Sequence, residues 1–166
     1  MSRLRAAAGS VVFLLVAPGV VAGLVPYLLT GWDSTDPPAL LELLGGVLIV
    51  GGAAVLVHAF ARFVVEGGGT PAPVAPTERL VVGGLYRYVR NPMYVAVGAT
   101  IVGQALLLGR PALLAYAALF WLVVAAFVHG YEEPTLSAQY GEEYEAYRRA
   151  VPAWWPRLRP WSPPPR

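Results

Sequence analysis

The sequence predicts an all-α integral membrane protein, with four transmembrane helices followed by an amphipathic C-terminal helix. Three observations lead there. The chain of 166 residues is 57% hydrophobic and 13% charged, where soluble domains run at roughly 45 to 50% and about 25%. Four stretches, residues 6–32, 43–61, 91–109 and 111–131, contain no Asp, Glu, Lys or Arg, and each approaches or exceeds the roughly 20 apolar residues that a helix needs to cross a hydrocarbon core about 30 Å thick. Every arginine except Arg110 then falls on one side of a four-span chain, as expected when basic residues are retained on the cytoplasmic flank. The expectation is a single domain, residues 1–166, in the cell inner membrane with both termini and the central loop cytoplasmic.

The first span follows Arg3 and Arg5. It is longer than the roughly 7 to 15 apolar residues of a signal peptide and is read as a retained helix. Pro18 and Pro26 should kink it, because each lacks a backbone donor and crowds the preceding turn. Gly19 and Gly23, and in the second span Gly45, Gly46, Gly51 and Gly52, are small residues of the kind that let lipid-embedded helices approach closely. His58 and Arg62 share a face near the cytoplasmic end of the second span, read as an interfacial histidine beside a snorkelling arginine.

After Glu66 the run 67–73, rich in glycine and proline, reads as a loop. Asn91 and Pro92 suit a helix start, as cap and first residue. The turn Gly109-Arg110-Pro111 is tight enough to make the third and fourth spans a hairpin, leaving Asp33, Asp36 and Arg110 on the opposite face. In the tail, Tyr140, Tyr144, Tyr147 and Val151 recur at helical spacing with charges on the other faces, which predicts a helix lying in the interface. Trp154, Trp155 and Trp161 beside Arg157 and Arg159 read as a headgroup-level anchor.

Composition also excludes. The chain has no cysteine, so disulfides, thiolate metal sites and cysteine nucleophiles are ruled out. Two histidines leave little for a metal, and no metal site is assigned; a net charge of +2 does not suggest nucleic acid as a partner.

Two polar clusters remain, at residues 84–94 and 131–134. The second places Glu132 and Glu133 at the expected exit of the fourth helix, facing each other and the negative end of the helix dipole. Such a pair calls for Arg87, Arg90 or a cationic ligand. The hairpin brings both clusters to one membrane level, where an arginine, two glutamates and several tyrosines converge on a pocket open to cytosol and, between helices, to lipid. That pocket suits a ligand with carboxylate, ammonium and aromatic portions.

The residues Gly84, Tyr86, Arg90, Asn91, Pro92, Met93 and Tyr94, followed by Glu132, Glu133, Leu136, Tyr140, Gly141, Tyr144, Tyr147, Val151 and Pro152, resemble the isoprenylcysteine carboxyl methyltransferase family of integral membrane enzymes. The resemblance spans roughly residues 79–152. Asn91-Pro92-Met93-Tyr94 and Tyr131-Glu132-Glu133-Pro134 are also similar to the phosphatidylethanolamine N-methyltransferases. The resemblance implies transfer of a methyl group from S-adenosylmethionine, held in a cytoplasmic pocket, to a membrane lipid or lipophilic small-molecule acceptor entering from the bilayer.

It implies that Tyr86, Asn91, Pro92 and Tyr94 shape the cofactor pocket, that Glu132 or Glu133 binds the cofactor's ammonium, and that Arg90 orients a carboxylate of cofactor or acceptor. Arg90, Glu133 and His129 are the catalytic candidates, with His129, one helical turn before Glu133, available to accept a proton from an amine or thiol. The carboxyl methyltransferases have histidine where Asn91 stands, glycine where Ala96 stands, and arginines where this chain has Phe127-Val128-His129. The expected acceptor is therefore not a prenylated protein C-terminus. The competing expectation is a non-enzymatic four-helix membrane protein, a scaffold or a small transporter using Glu42.

Overall fold

The computed structural model describes residue 12, residues 16–67 and residues 79–162. The basic N-terminus, the start of the first span, loop residues 68–73 and Arg166 lie outside the described residues. Five helices are described: α1 (Val16–Thr30), α2 (Ala39–Arg62), α3 (Pro92–Leu108), α4 (Pro111–Tyr140) and α5 (Glu142–Ala150). A short 3-10 turn, Gly84–Arg87, precedes α3.

Among the described residues, α2 and α4 are long and apolar enough to cross a membrane, and α1 and α3 are shorter apolar helices. Only 11% of the most apolar stretch of α2 and 22% of that of α4 are buried within the protein. Val50 and Leu122 are each 71% exposed. Apolar surface on that scale is untenable in water and natural in lipid, so these helices use the bilayer as their solvent.

The boundaries differ from the sequence expectation in two places. Helix α2 starts at Ala39, taking Glu42 into its first turn. Helix α4 does not end near Tyr131: it passes through a π turn, Val128–Glu132, and runs on to Tyr140. Glu132 and Glu133 therefore lie inside a helix, not at its dipole end, and Pro134 is accommodated just past the widened turn, where Glu133 N–H reaches back to Val128 O.

A second π turn, Val20–Leu24, lies between Pro18 and Pro26. There Val25 N–H bonds Val20 O, five residues back, and Pro26 has no N–H to give. The carbonyls left over are taken by other helices: Tyr116 Oη donates to Val21 O at 2.8 Å and Gln104 Nε2 to Ala22 O at 2.6 Å. Trp32 Nε1 donates to Gln104 Oε1 at 3.1 Å. A proline in α1 thus explains a buried glutamine in α3, since backbone groups need partners where water is absent.

Helices α2 and α3 form the most extensive interface. A Cβ on Gly45 would lie 2.5 Å from Gly103 O, and one on Gly52 would lie 2.8 Å from Ala96 O. Gly23, Gly46 and Gly51 face open space, so of these five predicted close-packing glycines Gly45 and Gly52 are the ones used in this way. Gly109, at φ +63, ends α3 in the left-handed conformation that starts the hairpin. At that end Arg110 Nε donates to Asp33 O at 2.8 Å.

The tail also departs from expectation. Gly141, at φ +54, divides it, so Tyr140 closes α4 while Tyr144 and Tyr147 belong to α5. Tyr144, Tyr147 and Val151 form a buried cluster with Leu80, Val82 and Leu136, not a lipid-facing stripe. Trp154 meets Trp121 edge-on at 5.4 Å and Trp161 packs on Tyr147 at 5.3 Å. Of the three predicted anchor tryptophans, Trp155 alone is largely exposed.

Candidate active site

The site is assembled where the end of α2, the segment leading into α3 and the π turn of α4 meet. At the end of α2, Arg62 Nη1 pairs with Glu66 Oε1 at 2.7 Å, and Glu66 Oε2 accepts Gly83 N–H at 2.9 Å. Gly84, at φ +56, passes so close that a Cβ there would lie 2.5 Å from His58 Nε2. His58 and Arg62, expected at the interface, thus flank the Gly83-Gly84 turn. That turn delivers Tyr86, which is buried and packs edge-on against Phe63 at 5.7 Å.

Residues 88–91 have no regular structure and carry Arg90 inward. Arg90 Nη1 donates to Glu133 Oε1 at 2.7 Å and to Tyr144 Oη at 3.1 Å. The pair is well buried, with side chains 11% and 6% exposed. Among the described residues, Arg90 Nε is buried without a partner. Of the two arginines considered as counter-ions, Arg90 takes the role; Arg87 points to the chain's C-terminal segment, donating to Trp161 O and Ser162 Oγ at 2.7 Å each.

The π turn of α4 separates the tasks of the adjacent glutamates. Glu133 Oε2 meets His129 Nδ1 at 3.1 Å and Arg148 Nε at 3.7 Å, so it is ringed by three basic side chains. Glu132 Oε2 instead accepts from Tyr94 Oη at 3.0 Å. Among the described residues no cation pairs with Glu132.

These groups border a cavity of about 440 Å³. Its polar end holds Arg90, Glu132, Glu133, Tyr94 and Tyr144, with Gln139 nearby. Its other arm is apolar and runs between helices to Ala17, Pro18 and Val21 of α1, past Phe60, Phe120 and Phe127. Burial pushes the hydroxyls of Tyr86, Tyr144 and Tyr147 above the usual tyrosine range, so they remain protonated donors. Tyr147 Oη uses its proton on Tyr86 O at 2.7 Å.

Of the residues singled out in the sequence, Tyr86, Arg90, Asn91, Pro92, Tyr94, Glu132 and Glu133 all line this cavity. His129 does not: its side chain is 58% exposed and touches Glu133 from outside. Asn91 makes no side-chain cap; its Nδ2 donates to Ala153 O at 3.3 Å. Pro92 is the buried first residue of α3. The sequence reading missed Tyr144 as a partner of Arg90, because a tyrosine stripe facing a protein core and one facing lipid headgroups have the same spacing. It also missed the C-terminal segment, for which no periodic signal exists.

A lipid-embedded helical protein whose cavity joins a charged end to an apolar arm between helices has the makings of a membrane enzyme acting on lipophilic molecules. Comparison makes the class specific. The phospholipid methyltransferase family model matches residues 40–143, well over half of the chain, and the chain belongs to that family of membrane methyltransferases, which use S-adenosylmethionine. It is also 35% identical over 75 residues to the protein-S-isoprenylcysteine O-methyltransferase of Schizosaccharomyces pombe; the shared stretch is 45% of this chain and 31% of that protein.

Proposed function

We propose that this protein transfers the methyl group of S-adenosylmethionine to a lipophilic acceptor that reaches the cavity from the bilayer. The observation that carries this reading is a pair of groups at the polar end: among the described residues, the buried Nε of Arg90 has no partner and the carboxylate of Glu132 has Tyr94 but no cation. An amino-acid ligand end, with its carboxylate and ammonium, complements that pair. Arg90 would hold the carboxylate and Glu132 the ammonium, while Tyr86 and Tyr94 offer aromatic walls beside them. When bound, the sulfonium supplies a methyl already activated toward a nucleophile.

The chain's own residues then have placement as their task. Glu133 neutralises and aims Arg90, and is itself held by His129 and Arg148 from the exposed side. In this reading His129 orients Glu133 and is not the proton acceptor. Tyr94 fixes the rotamer of Glu132. The apolar arm takes the acceptor's hydrocarbon portion and keeps water away from the reacting atoms.

Charge on the wall bears on the acceptor. Arg90 faces two glutamates there, and if the cofactor's carboxylate occupies it, a carboxylate acceptor would lack a counter-ion. An uncharged nucleophile or an amine fits better, and an amine must arrive unprotonated to attack. From the arginine distribution we infer that both termini are cytoplasmic, and the transport reading gains no support, since Glu42 is exposed in the first turn of α2.

The test uses purified protein in detergent. Direct binding of S-adenosylmethionine is expected, followed by labelling of lipid amines or hydrophobic thiols in preference to a prenylcysteine carboxylate. Absence of binding would refute the enzyme reading; saturable preference for the prenylcysteine would refute the acceptor assignment and move Arg90 from cofactor to acceptor.

A further inference from the structure

The segment that presents Arg90 takes its long-range backbone contacts from the C-terminal part of the chain. Tyr88 and Val89 N–H still turn back to Leu85 O, but Arg90 and Asn91 N–H reach outside the segment, and the chain's C-terminal segment, residues 152–162, runs back antiparallel along residues 87–91 as a strap. Arg90 N–H donates to Pro152 O at 2.9 Å and Asn91 N–H to Ala153 O at 3.3 Å. Arg157 N–H donates to Tyr88 O, and Trp161 N–H to Arg87 O, both at 2.9 Å. The far end of the strap is closed by Arg87, whose Nε and Nη2 donate to Trp161 O and Ser162 Oγ. Its near end is pinned by Trp154 on Trp121, whose ring in turn lies against Gly98 of α3. The strap itself lies beyond residues 40–143, the part of the chain that the family model matches, while the residues it holds lie within it.

We infer that Arg87 is a positioning residue which, by clasping the C-terminal strap, sets where the Arg90 guanidinium stands in the cavity. The argument is an accounting of backbone groups. If the clasp opens, Arg87 O loses the N–H of Trp161, and the neighbouring bonds at Tyr88, Arg90 and Asn91 are free to fray from that end. Arg90 then keeps its ion pair with Glu133, but the direction of its unpartnered Nε is no longer fixed. Recognition of a planar carboxylate by a guanidinium fork depends on that direction. A displacement of about 1 Å is enough to cost up to about a hundredfold in a site built on alignment.

The inference rests on the reading that Arg90 holds a ligand carboxylate, and the experiment separates the two. Full-length protein in detergent is titrated with S-adenosylmethionine and with its decarboxylated analogue. Wild type is expected to bind S-adenosylmethionine the more tightly. Arg87→Gln is expected to shrink that preference about tenfold with affinity for the analogue unchanged. Arg87→Lys should behave similarly, because a point ammonium cannot span both acceptors, whereas Leu158→Ala, at a side chain 99% exposed on the strap, should match wild type. Should Arg87→Gln fail to fold, Arg87→Lys and Ser162→Ala carry the same comparison. Variants that keep the full preference, or that lose affinity equally for both ligands, overturn the role of Arg87. A wild type that shows no preference overturns the role of Arg90 instead.

Discussion

Glu133 stands between Arg90 and His129, accepting from the first at 2.7 Å through one carboxylate oxygen and meeting the second at 3.1 Å through the other. One carboxylate thereby links the inside of the cavity to the protein's exposed surface. Its neighbour Glu132, turned toward Tyr94 by the π turn, takes no part in that chain of contacts.

The two glutamates should therefore fail differently when altered. Glu132→Gln is expected to weaken S-adenosylmethionine binding with little change in stability, because it removes no ion pair within the protein. Glu133→Ala leaves the Arg90 charge buried without its principal partner, a change that costs about 3 to 5 kcal/mol in comparable settings. Thermal unfolding and equilibrium binding on the same preparations distinguish the two, and equal stability losses would contradict the assignment.

Helix packing offers a sharper comparison between adjacent glycines. Gly45→Ala would put a methyl against the backbone of α3, and overpacking of this kind costs about 1 to 3 kcal/mol. Gly46→Ala meets nothing within 4 Å and should be neutral or slightly stabilising. Unfolding in mixed micelles measures both.

Gln104→Leu tests the coupling between Pro26 and α3. It strips Ala22 O and Trp32 Nε1 of their partner, and hydrogen bonds between membrane helices contribute about 1 to 2 kcal/mol at most. The expected loss is of that order. A backbone N–H at position 26 would supply Ala22 O with a donor, so Pro26→Ala should recover part of the stability lost in Gln104→Leu; strict additivity of the two substitutions would rule out the coupling.

Topology has its own measurement. Reporters fused after Gly69 and after Arg166 are expected to be cytoplasmic, and one near Thr35 is not. The prediction follows from the arginine distribution and from Arg110 meeting Asp33 at the end opposite to Arg90. Opposite sides for the first two reporters would end the four-span arrangement.

How much of this was readable in advance depended on the kind of signal. The apolar stretches, the hairpin at Gly109-Arg110-Pro111 and the convergence of residues 84–94 with residues 131–134 were all legible. Each reflects local polarity or a turn too short to allow another path. The end of α4 was misplaced because Pro134 normally stops a helix, and nothing in the residue pattern announces that a π turn will absorb it. The tail was misread because Tyr144 and Tyr147 have the spacing of an interfacial stripe, while what they face depends on where α5 folds back.

By itself, then, the sequence determined which parts of the chain are apolar enough for lipid and which polar residues meet at one end of the helices. Both follow from the solvation of individual side chains and from chain length. Only the tertiary structure decided the division of labour inside the site: Glu133 for Arg90, Glu132 for Tyr94, Arg87 for the strap, and Gln104 for the carbonyl that Pro26 leaves open. Those pairings depend on the rotation of each helix about its axis. That rotation is set by the packing of Gly45 and Gly52 against α3 and by the π turns, through contacts between residues far apart in the chain that no local pattern encodes.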